Sequence, residues 1–420
     1  MKTLLTLSLL WLSSSLFAFY GKDITQYQGE ASLYFYTKDL SNLEGQAKTH
    51  ASFMIGSLIG HYKPGGRGTT GFNFEVSELS SVEAGNEFKV SYKFRGDIAL
   101  ENNVDTRNFS VLLPLRPQKT MTEGDLRCLN QNGFEGVESI LYIYWYPYSK
   151  RCPSEENVDF AYYSVALTPK SPRAALTYPR YEEMIQDGVM DLYLYFGSDF
   201  YSMSRFGEAG KNYATMKTWA KRNKFITASD SFEFQREVFP RPEIQSDWMR
   251  VEKIVHGRKI RLTMMLGNPV PNTPQAEEEF FWFMKKAYES GSFVHYLGHE
   301  GTGDLIDLAR LSEKYKGEVN FPEDRFQIYY FNGCLTYIWG IEYFPRMKKG
   351  LENLHYISNG TTTWTDTSWR LSEDFIFSLH DYFVFGTRTS YQSLIDGAAK
   401  KLRSAGRSSA APMLMVEGDN

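Results

Sequence analysis

Apolar runs that suit β-strands alternate with amphipathic helical stretches through the second half of the chain. This alternation restricts the possible folds more than any other feature of the sequence. The strand-like runs cover residues 190–197, 259–267, 292–298, 326–333 and 353–358. The helical stretches are the segment between Thr273 and Gly291 and residues 211–223, 304–314, 372–383 and 391–402. Continuous apolar strands with helices between them are typical of a parallel sheet that is covered on both faces. The sequence therefore predicts an α/β domain over residues 181–420, with a mostly parallel sheet flanked by helices.

The first half of the chain has a different pattern, in which aromatic-rich, alternating runs are separated by turn residues. Examples are ASLYFYT, TGFNFEV, EFKVSYKF and FAYYSVAL. Such runs are typical of antiparallel strands, and we expect a β-rich, sandwich-like domain over residues 19–166. Residues 167–180 contain three prolines and few periodic apolar residues, which predicts a linker. A length of 420 residues suits two domains.

The first eighteen residues have the three-part plan of a secretory signal peptide. Met1 and Lys2 give a positive start, residues 4–12 form an apolar run, and small residues suit cleavage after Ala18. The apolar run is shorter than a membrane-spanning helix needs, and a signal anchor is the alternative. No later stretch is long and apolar enough to cross a membrane. We expect a secreted or periplasmic mature chain without a transmembrane segment.

The charges of the chain are nearly balanced. There are 46 Lys and Arg residues against 50 Asp and Glu residues, which gives a net charge of -4. Binding of nucleic acid requires a basic field that neutralises phosphates. The composition therefore argues against a nucleic-acid partner.

The chain has three cysteines, an odd number that is informative in an exported protein. Cys128 and Cys152 flank an aromatic segment and could close a local disulfide loop. Cys334 is then left over, which indicates a reactive thiol. The alternative is that Cys334 is a small buried apolar residue, as cysteines commonly are.

His299 follows the third predicted strand, and Cys334 follows the fourth. Catalytic groups of parallel sheets lie beyond the carboxyl ends of the strands. If the two strands are neighbours, the two side chains emerge at the same edge of the sheet. A thiol beside an imidazole is a nucleophile with its base, and this pair needs neither a metal nor a cofactor. The sequence therefore predicts a cysteine–histidine pair that works without a cofactor.

A metal site formed by His295, His299 and Glu300 is a competing interpretation. Histidines four positions apart share one face of a helix and can bind one ion. The flanking residues favour a strand instead, in which positions four apart are separated by about 13 Å. We therefore expect no metal site, and we expect His295 to be a core or sheet-face histidine.

These features resemble the caspase-fold clan of cysteine peptidases, and the gingipain-like branch of that clan fits best. YLGHEG is similar to the strand-Gly-His-Gly element of this branch, and FNGC is similar to its strand-small-Cys element. FGTRTSYQSLIDGAAKKL and PMLMVEGDN resemble its late helix and its closing strand. The resemblance covers residues 190–420 and implies a caspase-like α/β domain.

The resemblance implies an endopeptidase that hydrolyses a protein or peptide substrate through a thioester on Cys334. His299 would be the general acid and base of this reaction. The backbone N–H groups of Cys334 and of a residue just after His299 would face the oxyanion. The residues that would support this oxyanion site are Gly298, Glu300, Gly301 and Gly333.

Glu300 stands directly after the histidine, where the family has glycine. This departure motivates an alternative function, that of a non-catalytic exported binding or surface protein with an inactive caspase-like domain. A third interpretation is transpeptidation, because an amine can capture a thioester in place of water.

Residues after the fifth strand often line the first substrate pocket of the clan, and this chain has WTDTSWR there. The pocket candidates are Trp364, Asp366, Trp369 and Arg370. Asp366 would favour a basic substrate side chain, and Arg370 would favour an acidic one. The alternative is an ordinary aromatic loop that leads into a helix.

Overall fold

The computed structural model describes residues 18–19, 24–61, 70–101, 104–122, 145, 159–170, 178–197, 207–241, 243–267, 274–298, 308–333, 336–359, 365–404 and 414–417. The elements before residue 178 are β1 (Ala18–Phe19), β2 (Ile24–Thr37), α1 (Leu43–His61), β3 (Thr70–Ala84), β4 (Glu87–Glu101), β5 (Ser110–Pro114), α2 (Pro117–Thr122), β6 (Phe160–Ser164) and β7 (Ala166–Pro169). The elements after residue 178 are β8 (Val189–Phe196), α3 (Glu208–Arg222), β9 (Ile226–Thr227), α4 (Ser231–Val238), β10 (Asp247–Val255), β11 (Arg258–Leu266), α5 (Pro274–Ser290), β12 (Phe293–Leu297), α6 (Leu308–Tyr315), β13 (Gln327–Asn332), α7 (Thr336–Met347), β14 (Leu354–Asn359), α8 (Thr365–Phe385), α9 (Tyr391–Ser404) and β15 (Leu414–Glu417).

Nine strands form one sheet in the order β1-β15-β14-β13-β12-β8-β11-β10-β9. The strands β14, β13, β12, β8 and β11 are parallel to one another. On the two sides of this parallel part, β15 and β10 run antiparallel to their neighbours. The predicted α/β architecture with a mostly parallel sheet is therefore confirmed. The five predicted strands correspond to β8, β11, β12, β13 and β14.

Alternate residues of the parallel strands point to opposite faces of the sheet, and each face has its own core. On the first face, Leu192, Leu194 and Tyr330 belong to a core that includes residues of α3, α8 and α9. On the second face, Tyr193 and Tyr329 belong to a core that includes residues of α4, α5, α6 and α7. Helices cover both faces because the strands are apolar on both sides.

The first part of the chain forms a four-stranded antiparallel sheet in the order β3-β4-β2-β7 and a two-stranded ladder of β5 and β6. The strands predicted for this part are confirmed, but α1 differs from the prediction. Phe53, Met54 and Leu58 of α1 share a core with Leu33 of β2 and Leu113 of β5. The helix is apolar on several sides, so it lacks the amphipathic period by which helices are recognised in a sequence.

Two short strands cross the domain boundaries that the sequence predicts. Ala18 and Phe19 pair with Glu417 and Val416 of β15, at one side of the nine-stranded sheet. β7 pairs with β2, so the first residues of the predicted linker belong to the antiparallel sheet.

None of the helices that the structure describes is both long enough and apolar enough to cross a membrane.

Candidate functional site

The carboxyl ends of four neighbouring parallel strands lie in register. Leu266 of β11 pairs with Phe196 of β8, and Phe196 pairs with Leu297 of β12. Leu297 in turn pairs with Asn332 of β13. The residues that directly follow these four are all glycines, namely Gly267, Gly197, Gly298 and Gly333. This carboxyl edge therefore has four adjacent positions without a side chain.

Close packing explains two of these glycines. A Cβ atom at Gly267 would lie 2.5 Å from the hydroxyl oxygen of Tyr195. A Cβ atom at Gly298 would lie 3.0 Å from the hydroxyl oxygen of Tyr296 and 3.1 Å from the Cα atom of Gly197. The rings of Tyr195 and Tyr296 are stacked with their centroids 5.7 Å apart. The two tyrosines reach the strand ends, and glycine leaves room for their hydroxyl groups.

The order of the strands reverses at the carboxyl edge. β11 and β12 both follow β8 in the chain, yet they lie on opposite sides of it. α3, which follows β8, belongs to the core of the first face, and α6, which follows β12, belongs to the core of the second. A reversal of this kind leaves a crevice beyond the carboxyl ends, where open α/β sheets bind their ligands. Gly197 and Gly298 flank this point.

Gly298 and Gly333, which precede the predicted catalytic residues, lie at the ends of two paired strands. The backbone N–H of Gly298 donates to the carbonyl oxygen of Asn332 at 3.4 Å. His299 and Cys334 themselves lie outside the described residues, so their pairing stays a prediction. The other predicted site and disulfide residues outside the described part of the chain are Glu300, Gly301, Trp364, Cys128 and Cys152.

The remaining pocket candidates belong to α8, which begins at residue 365 and not at residue 372 as predicted. Trp369 is 6% exposed, and its ring centroid lies 5.5 Å from that of Phe196. Arg370 is exposed to solvent. Asp366 lies in the first turn of α8, and its side chain is outside the described part. Trp369 therefore belongs to the core below the carboxyl edge, and a role of these residues in a pocket stays a prediction.

A chain of buried polar side chains links the middle of β12 and the ends of β13 and β14 to α8. His295 Nε2 lies 2.7 Å from the hydroxyl oxygen of Ser372, and the amide of Asn332 donates to the same oxygen at 2.8 Å. The amide of Asn359 donates to Asn332 Oδ1 at 2.8 Å and to the carbonyl oxygen of Gly333 at 3.2 Å. We call the side chains of His295, Ser372, Asn332 and Asn359 the edge network.

Sequence reasoning identified one member of the edge network. His295 is fully buried on β12, which confirms the prediction of a core or sheet-face histidine. Asn332 and Asn359 were missed, although both precede a glycine at the end of a strand and an Asn-Gly pair is a turn signal. Ser372 stands at the start of the predicted helix, where a serine suggests an N-cap. Because α8 begins earlier, the Ser372 hydroxyl instead contacts residues of the sheet.

The first residue of α7 is held between the ends of β13 and β14. Thr336 Oγ1 donates to the carbonyl oxygen of Phe331 at 2.8 Å and accepts the backbone N–H of Asn359 at 3.1 Å. The hydroxyl of Tyr356 donates to the carbonyl oxygen of Thr336 at 2.6 Å. A Cβ atom at Gly340 would overlap this tyrosine hydroxyl, so the glycine allows the close approach of α7 to β14. The amino end of α7 is therefore fixed against the strand ends.

Two buried histidines make the stability of the protein depend on pH. Burial lowers the pKa of His295 to about 3 from an ordinary value of 6.5. Burial likewise lowers the pKa of His50, in the antiparallel part, to about 3. At a pH between the folded-state pKa of about 3 and the ordinary pKa of 6.5, each histidine is protonated in the unfolded chain and neutral in the folded chain. We expect the free energy of unfolding to fall as the pH drops through this window, by up to about 1.4 kcal/mol per pH unit for each histidine.

Denaturant titrations at several pH values between 7 and 4.5 measure this dependence. His295→Gln and His50→Gln each remove one contribution, so each variant is expected to lose less stability per pH unit than the unaltered protein. The double variant is expected to show the shallowest dependence. A slope that is identical in all four proteins would contradict the assignment.

Within the part of the chain that the structure describes, no three His, Cys, Asp or Glu side chains are grouped so that they could hold a metal ion. The described residues at the carboxyl edge could contact a ligand through the main chain of glycines, through amide side chains and through hydroxyl groups. A comparison of the chain with models of known protein families and with curated proteins gives no match.

Proposed function

We propose that this protein is an exported cysteine endopeptidase in which Cys334 is the nucleophile and His299 is the general acid and base. The proposal of export rests on the signal-peptide plan of residues 1–18. The proposed substrate is a protein or peptide, and the proposed reaction needs no cofactor.

The observation that carries the proposal is the register of β12 and β13. Leu297 pairs with Asn332, and each of these residues is followed by one glycine and then by one of the two proposed catalytic residues. Neighbouring parallel strands are about 4.8 Å apart. Residues that follow two such strands at the same level of the sheet begin close enough for their side chains to meet. This supports a pairing of His299 with Cys334.

The start of α7 supports the choice of Cys334 as the nucleophile. The helix begins at Thr336, two residues after the cysteine. The positive end of a helix dipole lowers the pKa of a nearby thiol, and an adjacent imidazole accepts the proton that the thiol releases. Both effects favour the thiolate, which is the attacking form.

In the proposed reaction, the thiolate of Cys334 attacks the carbonyl carbon of the scissile peptide bond. The C–N bond breaks as protonated His299 gives its proton to the leaving amine, and a thioester remains on the sulfur. Water then attacks the thioester and gives a proton to His299, and the acid product leaves as the C–S bond breaks. Backbone N–H groups stabilise the oxyanion that forms in both steps. The absence of side chains at Gly298 and Gly333 gives a peptide substrate close access to this main chain.

The proposal extends to the fold of both parts of the chain. We interpret the α/β part as a caspase-like domain of the gingipain type, since a mostly parallel sheet with helices on both faces suits that resemblance. We interpret the first part as sandwich-like. The four-stranded sheet and the ladder of β5 and β6 contribute residues to one core, which supports this interpretation.

Labelling with a peptidyl acyloxymethyl ketone, which reacts with activated thiols, tests the proposal. We expect the mature protein to be labelled on Cys334, as identified by mass spectrometry of its peptides. Cys334→Ala is expected to lose the label. His299→Ala keeps the thiol and is expected to be labelled more slowly, because the base that activates the thiol is gone.

Cys128 and Cys152 are the internal controls of this experiment. If they form the predicted disulfide, neither is labelled until the protein is reduced. A folded, mature protein without label on Cys334 would contradict the proposed function and would support the non-catalytic binding protein.

A further inference from the structure

The edge network is polar in a region that is otherwise apolar. On the same face of the sheet, the strand residues nearby include Phe293, Ile328 and Ile357, all of which belong to the apolar core. None of the four network side chains is more than 1% exposed. Polar side chains are costly in such surroundings unless they are fully hydrogen-bonded.

The described contacts leave two polar atoms of the edge network without a hydrogen-bond partner. Among the described residues, His295 Nδ1 and Asn359 Oδ1 are buried and have no hydrogen-bond partner. A buried polar atom without a partner costs stability, and apolar side chains of similar volume avoid that cost. These two atoms make the edge network a candidate for a role other than stabilisation.

The network ends on one main-chain carbonyl group. Asn359 Nδ2 lies 3.2 Å from the carbonyl oxygen of Gly333, and Thr336 Oγ1 lies 3.4 Å from the same oxygen. Both side chains are buried, so the carbonyl oxygen is directed into the protein. The C=O and N–H groups of a trans peptide point in opposite directions. A peptide whose oxygen is held inward presents its N–H outward.

We propose that the edge network is a positioning device for Cys334. By holding the carbonyl oxygen of Gly333 inward, the network turns the N–H of Cys334 toward the oxyanion of the substrate. In this proposal the four side chains act through the peptide group of Gly333 and not on the substrate itself, so they are positioning residues. This inference rests on the proposed function, because it assumes that Cys334 is the nucleophile.

Ser372 is the link that ties the network to a helix. Its hydroxyl oxygen lies within hydrogen-bonding distance of His295 on β12 and of Asn332 on β13. Without this hydroxyl, the hydrogen bond from the amide of Asn332 to Ser372 and the contact of His295 with Ser372 are both lost. The amide of Asn332, which accepts from Asn359, is then less firmly positioned, and so is the amide of Asn359 that contacts Gly333.

The test compares Ser372→Ala with Ser292→Ala, which is a matched control. Ser292 is also fully buried, donates to the carbonyl oxygen of Met184 at 2.6 Å and accepts the backbone N–H of Asp191 at 3.3 Å. It precedes β12 and so lies at the opposite edge of the sheet. The labelling of Cys334 by the peptidyl acyloxymethyl ketone is measured over a range of probe concentrations. This separates the affinity for the probe from kinact, the maximal rate of the covalent step.

We expect Ser372→Ala to lower kinact about tenfold or more with little change in affinity, because misplacement of a reacting group by less than 1 Å has effects of this size. Ser292→Ala is expected to keep kinact despite a similar loss of stability. Ser372→Thr retains the hydroxyl and is expected to keep most of kinact. If Ser372→Ala does not fold, Asn359→Ala removes the same contact from the side of β14 and is expected to lower kinact at least as much.

The possible failures are distinguishable. An unchanged kinact in the folded Ser372 or Asn359 variant, or an equal fall in Ser292→Ala, would overturn the positioning role and leave the proposed function intact. Absence of Cys334 labelling in the unaltered protein would overturn both.

Discussion

Replacing either Cys334 or His299 by alanine is expected to lower kcat/KM for peptide hydrolysis by at least about 10³-fold, and replacing both is expected to lower it little further. The two residues act in the same proton and acyl transfers, so the loss of one removes the benefit of the other. Initial rates of cleavage of a fluorogenic peptide library by the four proteins measure this dependence. Effects of the two replacements that multiply would show that the residues do not act as a unit.

His256→Asn is the control for the histidine replacement. His256 is exposed in the turn between β10 and β11 and has a φ of 51°. The turn precedes β11, so it lies at the edge of the sheet opposite the carboxyl ends of the parallel strands. Asparagine tolerates this backbone conformation, and kcat/KM is expected to stay the same. A loss of activity in this variant that matches His299→Ala would argue against a specific role of His299.

Glu279→Ala is expected to lower the free energy of unfolding by about 3 kcal/mol or more. Glu279 of α5 is 6% exposed, and its carboxylate accepts the backbone N–H groups of Gln245 at 2.8 Å and of Ser246 at 3.1 Å. It also accepts the hydroxyl of Ser246 and the amide of Gln275. Alanine leaves the two backbone groups without their acceptor next to the start of β10. Urea unfolding monitored by far-UV circular dichroism measures the change.

The neighbouring Glu278 supplies a matched control on the same helix. Its carboxylate pairs at 2.9 Å with Arg241, whose side chain is 62% exposed. Ion pairs with an exposed partner contribute at most about 1 kcal/mol, so Glu278→Ala is expected to have a small effect. Glu279→Gln keeps one acceptor oxygen and is expected to fall between the two alanine variants. Equal effects of the two alanine replacements would show that the contacts of Glu279 do not stabilise the start of β10.

The parallel part of the fold was predictable because its strands are buried on both faces. β8, β12 and β13 are rich in apolar and aromatic residues, so each is a run that stands out between polar segments. The α5 helix carries its own signals in Pro274 and in the glycine that follows its last residue. Strong local signals of this kind can be recognised without knowing which other elements the strand or helix packs against.

β10 and α7 escaped prediction because their local signals are weak. Arg250, Glu252 and Lys253 interrupt the apolar residues of β10. The turn that follows uses His256 and Gly257, both with positive φ, where the usual hairpin signal would be Asn-Gly. Within α7, Gly340 and Pro345 are residues that disfavour helix interiors. In both elements, packing against the sheet decides the structure and propensity does not.

The candidate site was predictable to the extent that it lies at strand ends. The positions of Gly298 and Gly333 follow from the strands and from the rule that sites lie beyond carboxyl ends. The edge network was not predictable, because its partners are distant in sequence. Ser372 and His295 are separated by 77 residues. A contact between residues so far apart leaves no spacing or periodicity in the sequence from which it could be predicted.

The position of β8 in the sheet has a consequence for the order in which the chain acquires its structure. β8 is the first parallel strand to be synthesised, and its two partners, β11 and β12, come much later. Pairing of distant strands is slow because a long loop has to close first, and an unpaired apolar strand is prone to aggregate. β10 and β11, by contrast, pair through a two-residue turn and can form locally. We therefore expect the hairpin of β10 and β11 to form first and to offer the edge onto which β8 docks, before β12 pairs with the other side of β8.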